Sequence, residues 1–139
     1  MKKLFVTLAT VLVLGTVSIN AQDATAEPTK MQQVMESHDM VMDKMPTISK
    51  LINKLQTRAN ASYEKTKYEH AIADLKNANK SMMTWMENFG KRFDSKEMLK
   101  GKQLTPQKQE WLLEEEKNIA VLDEEINLSI AQGEATLDN

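Results

Sequence analysis

The fold of this 139-residue chain is decided by residues 31–59, which read MQQVMESHDMVMDKMPTISKLINKLQTRA. Apolar residues and one histidine recur there in steps of three and four: Met31, Val34, His38, Val41, Met45, Ile48, Ile52, Leu55 and Ala59. This heptad pattern is typical of a helix that buries one seam against partner helices. Met35 and Met42 widen the apolar stripe beside the seam. The stretch therefore predicts α-helix.

Pro46 lies inside this predicted helix. An interior proline lacks the N–H that the helix needs and its ring collides with a preceding carbonyl, so it kinks or breaks the helix. We expect a kink, because the seam keeps its phase on both sides of Pro46. The alternative is a new helix that begins at Pro46. The first helix should start near Pro28 and Thr29, where a proline in the first turn is harmless.

A second helix follows a polar joint at residues 60–62 and has the same spacing. Its seam comprises aromatic, aliphatic and methionine side chains: Tyr68, Ile72, Leu75, Ala78, Met82, Trp85 or Met86, Phe89 and Phe93. Gly90 and the polar run FDSKEMLKGKQ, residues 93–103, mark the exit from this helix and a linker.

The third predicted helix has the clearest start signal, with Thr105 as N-cap and Pro106 at the first helical position. Its seam contains only aliphatic residues: Leu112, Ile119, Leu122, Ile126, Ile130 and Leu137. Short joints make sequential helices antiparallel neighbours. The sequence therefore predicts an all-α fold, an antiparallel up-down-up three-helix bundle with coiled-coil-like heptad seams. It forms a single domain over residues 30–139.

The first 22 residues read MKKLFVTLATVLVLGTVSINAQ and have the layout of a secretory signal peptide. Lys2 and Lys3 form the positive region, an apolar run follows, and a cleavage site is expected after Ala21. We therefore expect a signal peptide over residues 1–21, a disordered segment over residues 22–29, and an exported protein, periplasmic or secreted. No membrane span is expected after cleavage.

Charge and cysteine content exclude several partner classes. Loss of Lys2 and Lys3 takes the formal net charge from -2 to -4, and the remaining basic residues are interspersed with acidic ones. Nucleic-acid binding, which needs a basic patch, is therefore not expected. The chain has no cysteine, so neither a disulfide nor a lipid anchor on cysteine is expected.

The candidate metal ligands are His38 and the methionines around it in the folded hairpin. In a hairpin turning near residue 61, His38 lies at the level of Trp85, which places Met35 and Met42 opposite Met82 and Met86. Thioether sulfur and neutral imidazole suit Cu(I), and an indole face can lie against a bound cation. The metal set would be His38, Met35, Met42, Met82 and Met86, with Trp85 adjacent.

Core packing explains the same residues without a metal, and it is the favoured interpretation. Methionine has good helix propensity and adapts its shape to irregular gaps in a core. A buried histidine is usually satisfied by a carboxylate or a carbonyl, and Glu115 lies close enough to the third seam to meet His38. We therefore expect no cofactor, with Cu(I) as the alternative.

Catalytic motifs are not visible in the sequence. A di-iron bundle would need two Glu-x-x-His pairs, and the chain has only two histidines and neither pair. No nucleophile elbow, glycine-rich phosphate loop or paired-carboxylate arrangement occurs. We therefore expect a protein that is not an enzyme.

Three short patterns resemble a known family. They are His38-Asp39 with Met42 and Met45, then Met82-Met83-x-Trp85-Met86-x-x-Phe89, then the acidic stretch at residues 114–117. Over residues 31–137 the chain resembles small exported helical proteins and lipoproteins of Bacteroidetes. These are mostly uncharacterised, and some carry the label "viral A-type inclusion protein". The resemblance implies no activity.

The resulting hypothesis is an exported, non-enzymatic helical bundle that acts by binding or assembly in the bacterial cell envelope. The partner would be an unknown envelope protein or a second copy of the chain, because Met35, Met42 and Trp111 widen the seams beyond what three helices need. The alternative function is periplasmic binding of a soft metal, Cu(I), through the methionine and histidine cluster.

Overall fold

The computed structural model describes residues 28–138, so the predicted signal peptide and most of the 22–29 segment lie outside the described residues. The described part of the chain is all-α and contains no strand. Its five helices are α1 (Lys30–Met42), α2 (Met45–Ala61), α3 (Lys65–Arg92), α4 (Ser95–Leu99) and α5 (Pro106–Asp138). Over this same range, no helix is both long enough and apolar enough to cross a membrane.

The break between α1 and α2 corrects the expectation of one kinked helix, because the structure has two helices separated by Asp43 and Lys44. Pro46 lies in the first turn of α2. The Lys44 N–H donates to the Val41 carbonyl oxygen at 3.0 Å, one residue closer than in an α-helix. Both linking residues keep right-handed helical dihedrals, which is why the apolar seam stays in phase across the break.

The helices pack against one another around one apolar core, α3 on both α2 and α5, and α1 on α5 and α4. Side-chain hydrogen bonds join α3 to α5 at Asp74–Gln132, Ser81–Glu125 and Arg92–Glu114. Along this pair the residue number on α5 falls as the number on α3 rises.

The pairing of α1 with α5 runs the other way. Lys30 bonds Glu116 at 2.7 Å, and Lys44, in the link that follows α1, bonds both Asp123 and Asn127 further along α5. The residue numbers therefore rise together on the two helices.

The core is formed by the residues that the heptad spacing predicts. Met45, Ile52, Ile130 and Leu137 are only half-buried, and Leu51 and Ala71 are buried although the seams omit them. The buried predicted residues are Met31, Val34, His38, Val41, Ile48, Leu55, Ala59, Tyr68, Ile72, Leu75, Ala78, Met82, Trp85, Phe89, Phe93, Leu112, Ile119, Leu122 and Ile126. The second helix continues past Gly90 and ends at Arg92, directly before the polar run 93–103.

The expected linker at residues 93–103 contains a helix, α4, that the sequence pattern missed. The Asp94 carboxylate accepts from the backbone N–H groups of Lys96 and Glu97, and the Glu97 carboxylate accepts from the Asp94 N–H, a reciprocal capping box. Glu97 is buried, and Lys108 of α5 donates to it at 2.7 Å. A cap at one end and a charge pair to α5 thus hold this short helix.

The capping carboxylate predicts an acid-sensitive end of the bundle. The Lys102 ammonium and the Glu97 backbone N–H hold the pKa of Asp94 at about 2, below its ordinary value of 3.8. A lowered pKa contributes stability that is present above the ordinary pKa and is lost as the pH falls through the folded-state value. We expect thermal melts to show Asp94→Asn less stable than the wild type at neutral pH. The difference should vanish as the pH falls from about 4 to about 2.

Lys102→Gln is the control for this pH dependence, because it removes the cation from the same pair and leaves the cap in place. It should reproduce the loss at neutral pH. An equal difference between wild type and Asp94→Asn at both ends of the pH range would show that the charge of Asp94 contributes nothing.

At Gly133 the backbone of α5 lies close to leucine side chains of α2 and α3. A Cβ atom placed on it would lie 3.2 Å from Leu75 Cδ1 and 3.5 Å from Leu51 Cδ1. One turn earlier, Ser129 is also buried. Small residues at this end let the backbone of α5 approach the leucines of α2 and α3.

Candidate functional site

An aromatic contact joins α1 to α3 at the level where the hairpin geometry predicts it. The ring centroids of His38 and Trp85 are 5.7 Å apart, with an interplanar angle of 21°. Trp85 in turn stacks on Phe89 at 4.8 Å, and Phe89 contacts Phe93 at 4.8 Å. His38 therefore ends a row of buried rings carried by α3.

The two nitrogens of His38 have different surroundings. Nδ1 lies 2.9 Å from Oδ1 of Asp39, which as a carboxylate accepts a hydrogen bond, so Nδ1 carries the proton. Nε2 is then the nitrogen with the lone pair. It is buried and has no hydrogen-bond partner among the described residues.

Trp85 Nε1 is also buried and has no partner within residues 28–138. Because the two rings stack face to face, the indole N–H does not donate to the imidazole lone pair. Buried polar atoms without partners are uncommon, and each leaves its desolvation cost uncompensated. The contact between α1 and α3 therefore contains two buried polar atoms, His38 Nε2 and Trp85 Nε1, that have no hydrogen-bond partner among the described residues.

The predicted methionine ligands differ in burial. Met82 is buried in the core and Met35 is half-buried against it. Met42 is 41% exposed and Met86 is 36% exposed. Met82 is therefore packed within the core, whereas Met42 and Met86 reach solvent.

On α1, Met35 and Met42 lie on the side away from α5. Lys30 bonds α5, and at about 100° per residue the two methionines lie roughly 120–140° around the helix from Lys30. His38 lies between the two sides, with Met35 three residues before it and Met42 four residues after it.

On α3, Met83 and Met86 likewise face away from α5. Ser81 and Arg92 bond α5, and Met86 lies roughly 120–140° around the helix from both. Met83 lies further round and is 63% exposed. We call these four residues, Met35, Met42, Met83 and Met86, the methionine face; they lie on the sides of α1 and α3 that are turned away from α5.

Glu115 does not meet His38, which corrects the expectation from the sequence. It is buried, and Arg92 Nη1 lies 3.0 Å from its Oε1 while Asn118 donates to its Oε2. The guanidinium carbon of Arg92 lies 5.5 Å from the Trp111 ring centroid. The carboxylate that orients His38 is Asp39, the next residue in the chain, which the sequence pattern did not assign as its partner.

Two openings lie beside this region. A groove of about 640 Å³ between α3 and α5 is lined on one wall by Trp85 and Asn88 and on the other by Glu115 and Asn118. A second opening of about 500 Å³ lies among the start of α1, α4 and α5. Each is of the size that small ligands occupy.

Oxygen and nitrogen ligands alone do not form a metal site in the described range. Within residues 28–138, no three His, Cys, Asp or Glu side chains are grouped so that they could hold a metal ion. Any metal at His38 would therefore need sulfur ligands, and methionine is the only sulfur-containing residue in the chain.

No family model, curated protein or solved structure matches this chain, so its function is argued from its own residues. The resemblance to exported helical proteins of Bacteroidetes stays a prediction from the sequence.

Proposed function

We propose that this chain is an exported, non-enzymatic helical bundle that acts by binding or assembly in the cell envelope. Export rests on the signal-peptide pattern of residues 1–21, and an oxidising compartment is compatible with a chain that has no cysteine. Residue numbers on α3 and α5 run in opposite directions along the contacts of these helices, whereas the numbers on α1 and α5 rise together. This arrangement supports an up-down-up bundle in which sequential helices are antiparallel.

The methionine face is the observation that carries the binding proposal. Met42, Met83 and Met86 leave apolar side chains in solvent on the two helices that carry the buried His38–Trp85 stack. Methionine is unbranched and polarizable, so a surface made of it adapts to an apolar partner. We infer that the occupant is an apolar surface of another envelope protein.

Methionine oxidation tests this proposal, because exposed thioethers oxidise to sulfoxides and covered ones do not. In purified protein at low concentration, Met42, Met83, Met86 and the 57% exposed Met40 should all react with a mild oxidant. In intact envelopes, we expect protection of the first three but not of Met40. Mass spectrometry of peptides reads out each position separately.

Met40 is the matched control, because it lies on α1 with Met42 but faces another direction. Equal oxidation of all four residues in purified protein and in envelopes would contradict the binding proposal. Protection that also arises in concentrated purified protein would assign the face to a second copy of this chain instead of a different partner.

A further inference from the structure

We propose that His38 and the surrounding thioethers form a Cu(I) site, with Nε2 of His38 as the nitrogen ligand. The inference goes beyond the proposed function, because it assigns His38 a ligand that does not require a protein partner on the methionine face. The state of His38 carries it: a buried imidazole whose Nδ1–H is held by Asp39 and whose Nε2 lone pair has no partner in the described chain. This is the protonation pattern of a metal-ligating histidine.

The sulfur atoms available to this nitrogen come from two helices. Met35 and Met42 share the helical face of His38, at spacings of three and four residues. Met82 and Met86 lie three residues before and one residue after Trp85, whose ring stacks on His38. Long, unbranched methionine side chains reorient at little cost, which lets them turn a sulfur toward Nε2.

The donor set selects the metal. Thioethers are soft ligands that suit Cu(I), while Mg²⁺ and Ca²⁺ require oxygen ligands. The lack of any group of three His, Cys, Asp or Glu side chains within residues 28–138 also disfavours a zinc site.

The site has a route to solvent. Met42 and Met86 are partly exposed while His38 and Met82 are buried, so an incoming metal ion would meet the thioethers of Met42 and Met86 first. Neither thioether nor neutral imidazole has to lose a proton to bind, which leaves the Asp39 hydrogen bond intact on binding.

The test is anaerobic titration of the purified mature protein with Cu(I) alone, in the presence of a reductant. A Trp111→Phe background leaves Trp85 as the only tryptophan, because the chain has two. We expect stoichiometric quenching of Trp85 fluorescence and a higher melting temperature, since a ligand that binds only the folded state stabilises it. Asp39→Asn should weaken binding by about 10- to 100-fold, as expected for loss of an orienting partner.

His38→Leu should abolish most of the quenching and of the thermal shift, and Met42→Leu should abolish part of both. His70→Leu and Met40→Leu are the matched controls, because they remove the other histidine and an exposed methionine outside the methionine face. Circular dichroism checks that each variant is folded. Unchanged Cu(I) affinity in folded His38→Leu would overturn the proposal, as would equal losses in the two controls.

The Cu(I) titration and the oxidation experiment test the two proposals independently. If envelopes protect the methionine face while purified protein fails to bind Cu(I), the result supports a protein partner and contradicts the metal site. If Cu(I) binds through His38 but envelopes do not protect the methionine face from oxidation, the result supports the metal site and contradicts the protein partner.

Discussion

Replacing Val41 by aspartate is expected to lower the free energy of unfolding by about 3 kcal/mol or more, because it buries an unpaired charge. Val41 is buried in the α1 seam, one turn after His38. Urea denaturation followed by circular dichroism measures the effect. Met40→Asp is the control, since its side chain is the neighbour in sequence but is 57% exposed.

Met40→Asp should change the free energy of unfolding by no more than about 0.5 kcal/mol, as for other surface substitutions. If Val41→Asp unfolded at the same urea concentration as Met40→Asp, α1 would not be packed through the seam that the heptad pattern indicates.

Phe89→Ala is expected to cost about 3–5 kcal/mol, the range for removing a large buried aromatic side chain. Phe89 is buried between Trp85 and Phe93, with both ring centroids 4.8 Å away. Thermal or chemical denaturation measures the loss, and near-ultraviolet circular dichroism should show that the tryptophan environment has changed. Met83→Ala, on the same helix but 63% exposed, is the control and should be nearly neutral.

A stable Phe89→Ala variant with an unchanged near-ultraviolet spectrum would contradict the stacked arrangement. Such a result would also show that Phe89 does not hold the Trp85 ring against His38.

The seams could be predicted because burial on a long helix repeats every three or four residues, and the sequence carries that repeat. The choice between Trp85 and Met86 could not be made from spacing, because the two lie on adjacent flanks of the same stripe. Contact with His38 decides it: Trp85 turns inward onto the imidazole and Met86 remains partly exposed.

The ends and breaks of helices depend on capping and on backbone hydrogen bonds, which the apolar spacing does not report. Helix α4 spans only Ser95–Leu99, too short for a periodic pattern, although Asp94 and Glu97 have the spacing of a capping box. At Pro46 the seam stays in phase because the linking dihedrals remain helical, while the missing N–H interrupts the hydrogen bonds. The apolar periodicity shows which way side chains point, but it does not show whether the backbone hydrogen bonds of the helix are continuous.

The candidate site was partly predictable. The meeting of His38 with Trp85 follows from helix lengths around the joint near residue 61. The partners of the charged groups do not follow from helix lengths, because they depend on rotamers and on which cation lies nearest. Arg92 reaches Glu115 from α3, and that leaves the adjacent carboxylate of Asp39 to bond His38.

The close approach at Gly133 resolves an ambiguity that heptad repeats create. Seams that repeat every seven residues fit their partners almost as well after a slip of one repeat, so apolar spacing alone leaves the axial alignment of long helices degenerate. A slip of seven residues would bring Ile126 to the point where even a Cβ atom lies 3.2 Å from Leu75. Gly133, which has no side chain, therefore favours the observed alignment of α5, in which Arg92 also meets Glu115.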